Sequence, residues 1–294
     1  MTRCKICDSG NTESHSARIS PFLKERMYCS QMSGVLLIHC NTCGFSFYDP
    51  LPTEAQFDRF YQNYRDDHYQ QQRQKYEKWY TKDLNSALEM DKIEIDCRKK
   101  NMSGLIEDNN IAIKKISSVL DFGGGRGQFI PDNFQDAEKY VYDVSGATLE
   151  YGVKRISQIL DSDTKKFDFL MCCHVLEHVP DLIGLIEKMK RFSHDKTIFY
   201  FEVPVDTPIE KKIFHTFLDT HPKICRIYNA IRYNQYNENG FYVMHEHINH
   251  FTVSSLEKIL ISQGLHIDYI SYVKLKTVAG NTIISCFATI ENAS

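Results

Sequence analysis

The chain has 294 residues, 42% hydrophobic and 25% charged, with a formal net charge of −3. Such a chain buries a real core in one large domain or one medium domain with attachments. The near-neutral balance argues against nucleic acid as a partner, because phosphates call for clustered Lys and Arg, and no apolar run reaches the roughly 18–20 residues that span a bilayer.

The start, MTRCKICDSG, has no apolar stretch of the kind a signal peptide carries. The ten cysteines therefore read as thiols or metal ligands, and the expected compartment is the cytoplasm. Residues 1–48 are short and strand-like, in GVLLIHC and GFSFYD. They carry CKIC at 4–7 and CNTC at 40–43, followed by Gly44. Two CxxC pairs place four thiolates on one tetrahedral ion and leave no open position for reactive water. Cys4, Cys7, Cys40 and Cys43 are thus expected to hold a structural zinc, with iron as the lesser option. The other cysteines, Cys29, Cys97, Cys172, Cys173, Cys225 and Cys286, lack such spacing.

DPLPTE at 49–54 breaks the chain and starts a helix. From Glu54 to about Lys100 the pattern is helical, polar and rich in aromatics, including Phe57, Phe60, Tyr61, Tyr64, Tyr69, Tyr76, Trp79 and Tyr80. EDNN at 107–110 reads as a loop. Strand and helix patterns then alternate: SSVLDF (117–122), a glycine loop, KYVYDV (139–144), a helix over TLEYGVKRISQ (148–158), FDFLMCC (167–173), a helix over DLIGLIEKMKRF (181–192), and KTIFYFEVP (196–204). A helix follows over SSLEKILISQG (254–264), with Ser254 and Glu257 as a capping box and Gly264 as its stop. Alternating βα units predict a doubly wound, mostly parallel sheet. The last two strands are joined by only about six residues around KTVAGN, which predicts a hairpin and an antiparallel final strand.

VLDFGGGRGQF (119–129) places Gly123, Gly125 and Gly127 just after a strand that carries Asp121. Glycines let the backbone turn sharply and approach a ligand closely. Asp143 lies about twenty residues on, at the end of the second strand, where a carboxylate accepts ribose hydroxyls. Nicotinamide enzymes share both features. FDFLMCCHVLEHVPD (167–181) discriminates: with DFGGGRG it resembles the class I S-adenosylmethionine (SAM) methyltransferases over roughly residues 105–294. The resemblance implies a Rossmann-like α/β sheet, SAM as cofactor, Asp121, Gly123, Gly125 and Gly127 at its methionine end, Asp143 at its ribose, and His174 beside the methyl donor. Asp161 is placed towards the adenine. Glu177 and His178 read equally as helix capping and packing.

The order of parts resembles the sugar C-methyltransferases of nucleotide-deoxysugar and polysaccharide biosynthesis. A zinc module (1–48) runs into an aromatic-rich helical linker or lid (49–105), then a methyltransferase domain (106–294) with FEVP and, at 242–252, YVMHEHINHFT. In that family the histidine of a YHEHxxYF-type motif removes a proton beside a ketone. His245, Glu246 and His247 match HEH; Met244 and His250 stand where the family has aromatic residues, and the family's further C-terminal domain has no counterpart here. The resemblance implies His247 as general base, Glu246 as its orienting partner and His250 as a second contact to a small, sugar-like acceptor. Histidine suits that task because its pKa is near neutral. An alternative is a divalent-metal-assisted O-methyltransferase, similar to small-RNA and quinol enzymes, with His174, Glu177, His178 and a downstream histidine around the ion. A polar turn, or a non-catalytic SAM-fold partner, are the remaining readings.

Overall fold

The computed structural model describes residues 2–28, 34–156, 165–206, 221–233, 242–275 and 282–291. In chain order its strands are β1 (Thr12–Ile19), β2 (Val35–Cys40), β3 (Ser46–Asp49), β4 (Ser118–Phe122), β5 (Glu138–Tyr142), β6 (Val153–Arg155), β7 (Phe169–Cys173), β8 (Ile198–Pro204), β9 (Tyr242–Met244), β10 (Asn249–His250), β11 (Leu265–Lys274) and β12 (Thr282–Ile290). They fall into two compact units. One comprises Met1–Glu89, Glu177–Pro180 and Asp206–Phe251; the other comprises Met90–Leu176, Asp181–Val205 and Thr252–Ser294.

The second unit is built on a seven-stranded sheet in the order β11-β12-β8-β7-β4-β5-β6. Strands β4 to β8 pair in parallel, whereas β12 runs antiparallel to both β8 and β11. The mostly parallel α/β sheet and the antiparallel last strand are as the sequence predicts; the KTVAGN link at 276–281 lies outside the described residues. Strands β4 and β7 are buried at every position, as expected for parallel strands with both faces covered. Strand order reverses between β4 and β7, and in such sheets the ligand crevice opens at the carboxyl ends beside that reversal. The loops carrying Gly123–Gly127 and His174 leave those two strand ends.

The first unit holds a five-stranded sheet, β10-β3-β2-β1-β9, antiparallel except for β1 with β9. Its core contains Phe22, Leu37, Phe60, Tyr69, Tyr80, Met244 and Ile248. The aromatic segment thus supplies much of this core. Burying each such ring is worth about 1.5–3 kcal/mol.

Three local expectations are corrected. The helical stretch from Glu54 is not continuous: it forms Glu54–Tyr61, Asp67–Tyr76, Lys82–Met90 and Lys92–Asp108. Asn63 and Arg65 adopt left-handed φ values of 52° and 64°, which ends the first helix, and the Asp66 side chain caps the second. Described residues of 148–158 form no helix. Leu149, Val153 and Ile156 have helical spacing, but Gly152 turns at φ 79° and Val153 enters β6 beside Lys139. The helix Val253–Ser262 is capped two residues earlier than predicted, by Thr252 and Ser255 instead of Ser254 and Glu257.

Candidate active site

The loop after β4 gives the methyl-donor candidates their geometry. Gly123, Gly125 and Gly127 all have positive φ. A Cβ on Gly123 would lie 2.5 Å from Val175, whereas one on Gly125 would meet open space. The loop is therefore tight against the sheet at one end and open at the middle glycine. Asp121 is 1% exposed, and neither carboxylate oxygen has a hydrogen-bond partner among the described residues. Burial, reinforced by Asp143 and Glu202 and opposed by Arg98, pushes it up to about 7. An orphaned buried carboxylate beside an open glycine turn fits a ligand that brings N–H donors or positive charge. Asp143 accepts from the Gly125 amide at 2.8 Å and the Ser145 amide at 2.7 Å, so it also shapes the loop. Asp161 lies outside the described residues.

His174 follows β7 with a left-handed φ of 56°. Its amide donates to the Glu202 carbonyl at 2.8 Å, and its Nε2 lies 3.2 Å from Glu202 Oε1. Glu202 is fully buried and also accepts from Arg98 Nε and Tyr200 Oη, each at 2.8 Å. Arg98, then His174 and Tyr200, overcome the effect of burial and hold this carboxyl down to about 2. Sequence reasoning missed both Glu202 and Arg98. A single carboxylate inside the apolar run IFYFEVP was the available signal; Arg98, on a polar helix, gave none.

In the first unit, HEH lies between β9 and β10, the two edge strands of the sheet. The Met244 carbonyl accepts from Ser20, and the Ile248 amide donates to the Glu177 carbonyl at 2.8 Å. Glu246 points into a cage: Tyr69 Oη donates at 2.7 Å, Tyr64 Oη at 3.0 Å, and Arg73 Nη1 at 2.5 Å. Burial opposes its charge, but Arg73, His245 and Arg65 hold its carboxyl far below the usual range. Arg73 continues to Glu77, which meets His245 Nε2. The carboxylate against His247 Nδ1 is not Glu246 but Asp206, two residues beyond the end of β8. Burial works against the His247 imidazolium, yet Asp206, Glu177 and Glu246 raise it to about 9.

His178 Nδ1 lies 3.0 Å from the Glu246 carbonyl oxygen. A carbonyl only accepts, so Nδ1 carries the proton and Nε2 a lone pair. Burial and the neighbouring His247 keep this ring below the ordinary histidine range; the two ring centroids are 4.8 Å apart. Glu177 is 1% exposed, and one ligand atom each from Glu177, His178 and His247 lie within 4.8 Å of one another. His174 is not in this group; its ring is engaged by Glu202 in the other unit. His250 is packed edge-on to Tyr48 at 5.9 Å, and burial lowers it to about 4.

The four N-terminal cysteines converge. Cys4 and Cys43 sulfurs are 3.6 Å apart and Cys7 and Cys40 sulfurs 3.5 Å. All four sulfurs lie within 4.8 Å of one another, and thiolates at about 2.3 Å from a tetrahedral zinc lie roughly 3.8 Å apart, so the cluster is close to the size such an ion requires.

The sheet order, the single antiparallel strand and the glycine loop at the switch point define a Rossmann-like methyltransferase fold. The chain belongs to the methyltransferase domain family, which matches residues 96–270, and it is a methyltransferase. None of the curated proteins matches the sequence. Among solved structures, magnesium protoporphyrin IX methyltransferase from Synechocystis PCC 6803 with bound SAH is 14% identical, with a TM-score of 0.41 over 67% of this chain and 84% of that one. An S-adenosylmethionine-dependent methyltransferase from Clostridium acetobutylicum ATCC 824 is 12% identical, with a TM-score of 0.40 over 66% and 91%. The plantazolicin methyltransferase in complex with a pentazolic desmethylPZN analog and SAH is 12% identical, with a TM-score of 0.42 over 70% and 88%. No helix among the described residues is long and apolar enough to cross a membrane.

Proposed function

We propose that the protein transfers a methyl group from SAM to a small polar acceptor, a nucleotide-linked sugar or surface-polysaccharide precursor, with His247 as general base. The observation that carries this is the His247–Asp206 pair. A carboxylate on Nδ1 fixes the tautomer, leaves Nε2 for the acceptor proton and stabilises the imidazolium once the proton has moved. SAM, when bound, supplies an electrophilic methyl. Asp121, the glycine turn, Asp143 and His174 would hold it. Glu246, already committed to Tyr64, Tyr69 and Arg73, fixes the shape of the loop that presents His247. His250, neutral through burial, is a second acceptor contact. The cysteine cluster holds a structural zinc.

A second reading rests on a specific observation. Histidines that ligate a metal characteristically place their other ring nitrogen on a carbonyl or carboxylate. His178 and His247 both do so, through Glu246 and Asp206, and Glu177 lies beside them. A divalent ion held there would lower the pKa of an acceptor hydroxyl. Methyl-labelled SAM supplied with nucleotide-linked ketosugars and with simple vicinal diols separates the two. Label on a sugar ring carbon supports the base reading. Label on a diol oxygen, lost with a chelator mild enough to spare the cysteine site, supports the metal reading.

A further inference from the structure

Arg65 stands in the turn between the helices Glu54–Tyr61 and Asp67–Tyr76, with a left-handed φ of 64°. Glycine or asparagine serves such a turn with less backbone strain, and strained positions cluster where a ligand is held. Two contacts fix the residue. Its carbonyl accepts from Asn85 Nδ2 at 2.9 Å, and buried Asn85 in turn accepts from Tyr80 Oη at 2.7 Å. Its Nη1 donates to the Leu88 carbonyl at 3.0 Å. Nε is buried, and neither Nε nor Nη2 has a hydrogen-bond partner among the described residues. Those two N–H groups share one edge of the planar guanidinium. That edge is the fork that meets two oxygens of one anionic group at once.

The guanidinium lies over the Tyr64 ring, 5.0 Å from its centroid, and the Tyr64 hydroxyl donates to Glu246 at 3.0 Å. Arg65 itself makes no ion pair among the described residues. Glu246 acts on it only from longer range, because the Glu246 oxygens are taken by Tyr64, Tyr69 and Arg73. A partly buried cation with an unmet fork is costly unless an anion completes it. We infer that Arg65 binds a phosphoryl group of the acceptor, two of whose oxygens accept from Nε and Nη2 beside Tyr64. The diphosphate of a nucleotide-linked sugar offers that group. The inference rests on the proposed nucleotide-linked acceptor and names the part by which this unit holds it.

The test is calorimetry of the full chain with inorganic pyrophosphate and with uridine diphosphate, alongside thermal melting. The wild type should bind both. Arg65→Asn suits the turn and removes the fork. Its affinity for both probes should fall about tenfold to a hundredfold, the loss of hydrogen bonds to a charged group, with little change in melting temperature. Arg65→Lys keeps the charge without the fork and should recover only part of that loss. With an acceptor that is methylated, Arg65→Asn should raise the acceptor KM by more than it lowers kcat, because the phosphate takes no part in the methyl step. Wild-type protein that binds neither probe, or unchanged affinity in Arg65→Asn, overturns the inference. So does a destabilised Arg65→Asn whose melting temperature and affinity are both fully restored in Arg65→Lys, which is the behaviour of a merely structural cation. Pyrophosphate bound through Arg65, with no transfer to any nucleotide-linked sugar, would instead defeat the acceptor reading and leave the anion site standing.

Discussion

Asp206 contacts His247 through Nδ1, and this contact, with smaller contributions from Glu177 and Glu246, raises the candidate base. With His247 raised to about 9, most of it is protonated at neutral pH. A base must be unprotonated, so kcat/KM should climb with pH through about 9 and level off above it. Asp206→Asn removes the main raising partner and should move the rising limb to lower pH, with a lower plateau because the base is weaker. A pH–rate profile with no ascending limb between 7 and 9 contradicts this charge state. The sign for stability is opposite: a raised histidine stabilises the fold fully below the unfolded value, about 6.5, and that contribution is lost as pH rises through about 9.

Glu246 is expected to matter for folding as much as for turnover. Glu246→Gln leaves Arg73 with Glu77 alone and breaks a buried ion pair, a loss of about 3–5 kcal/mol. Tyr69→Phe removes one hydrogen bond to a charged group, about 1.5–3 kcal/mol. Because the folded pKa is depressed, the Glu246 contribution is present above the unfolded value of about 4.3 and fades as pH falls below it. Urea denaturation should show the wild type and Glu246→Gln far apart at pH 7 and closer at pH 3. An equal gap at both would remove the charge argument.

For the cysteine cluster, protein purified without added metal should carry about one zinc per chain. Cys40→Ser should lose the metal and lower the melting temperature, because the site clamps the turn before β1 to the end of β2. A metal-free protein that melts like the wild type argues against the structural ion.

Asp143→Ala should weaken SAH binding by about 1.5–3 kcal/mol, through the lost ligand contact and through the Gly125 and Ser145 amides that Asp143 now holds. Binding of NAD in place of SAH would reassign the glycine loop.

The parallel sheet was readable because β4 and β7 are short, mostly apolar runs between turn signals, and the glycine loop because three glycines follow a strand-end acid. The four cysteines were readable from spacing alone. The missing helix at 148–158 shows the opposite case: helical spacing of Leu149, Val153 and Ile156 was outweighed by one glycine and by edge pairing in the sheet. The partnership of Tyr242–Met244 with β1 was not readable, since it joins segments more than two hundred positions apart. For the same reason Asp206, Arg73 and the part Tyr69 plays at Glu246 escaped notice. Their roles come from pairings set by tertiary contact, which local patterning does not encode.

The central claim, that His247 takes the acceptor proton during methyl transfer, is tested most directly by single-turnover methyl transfer in His247→Ala alongside calorimetry of SAH. General-base assistance is worth about 10²–10⁴-fold. The account predicts a loss of that order in the transfer rate with SAH affinity nearly unchanged. A variant that turns over within a few-fold of the wild type would contradict it.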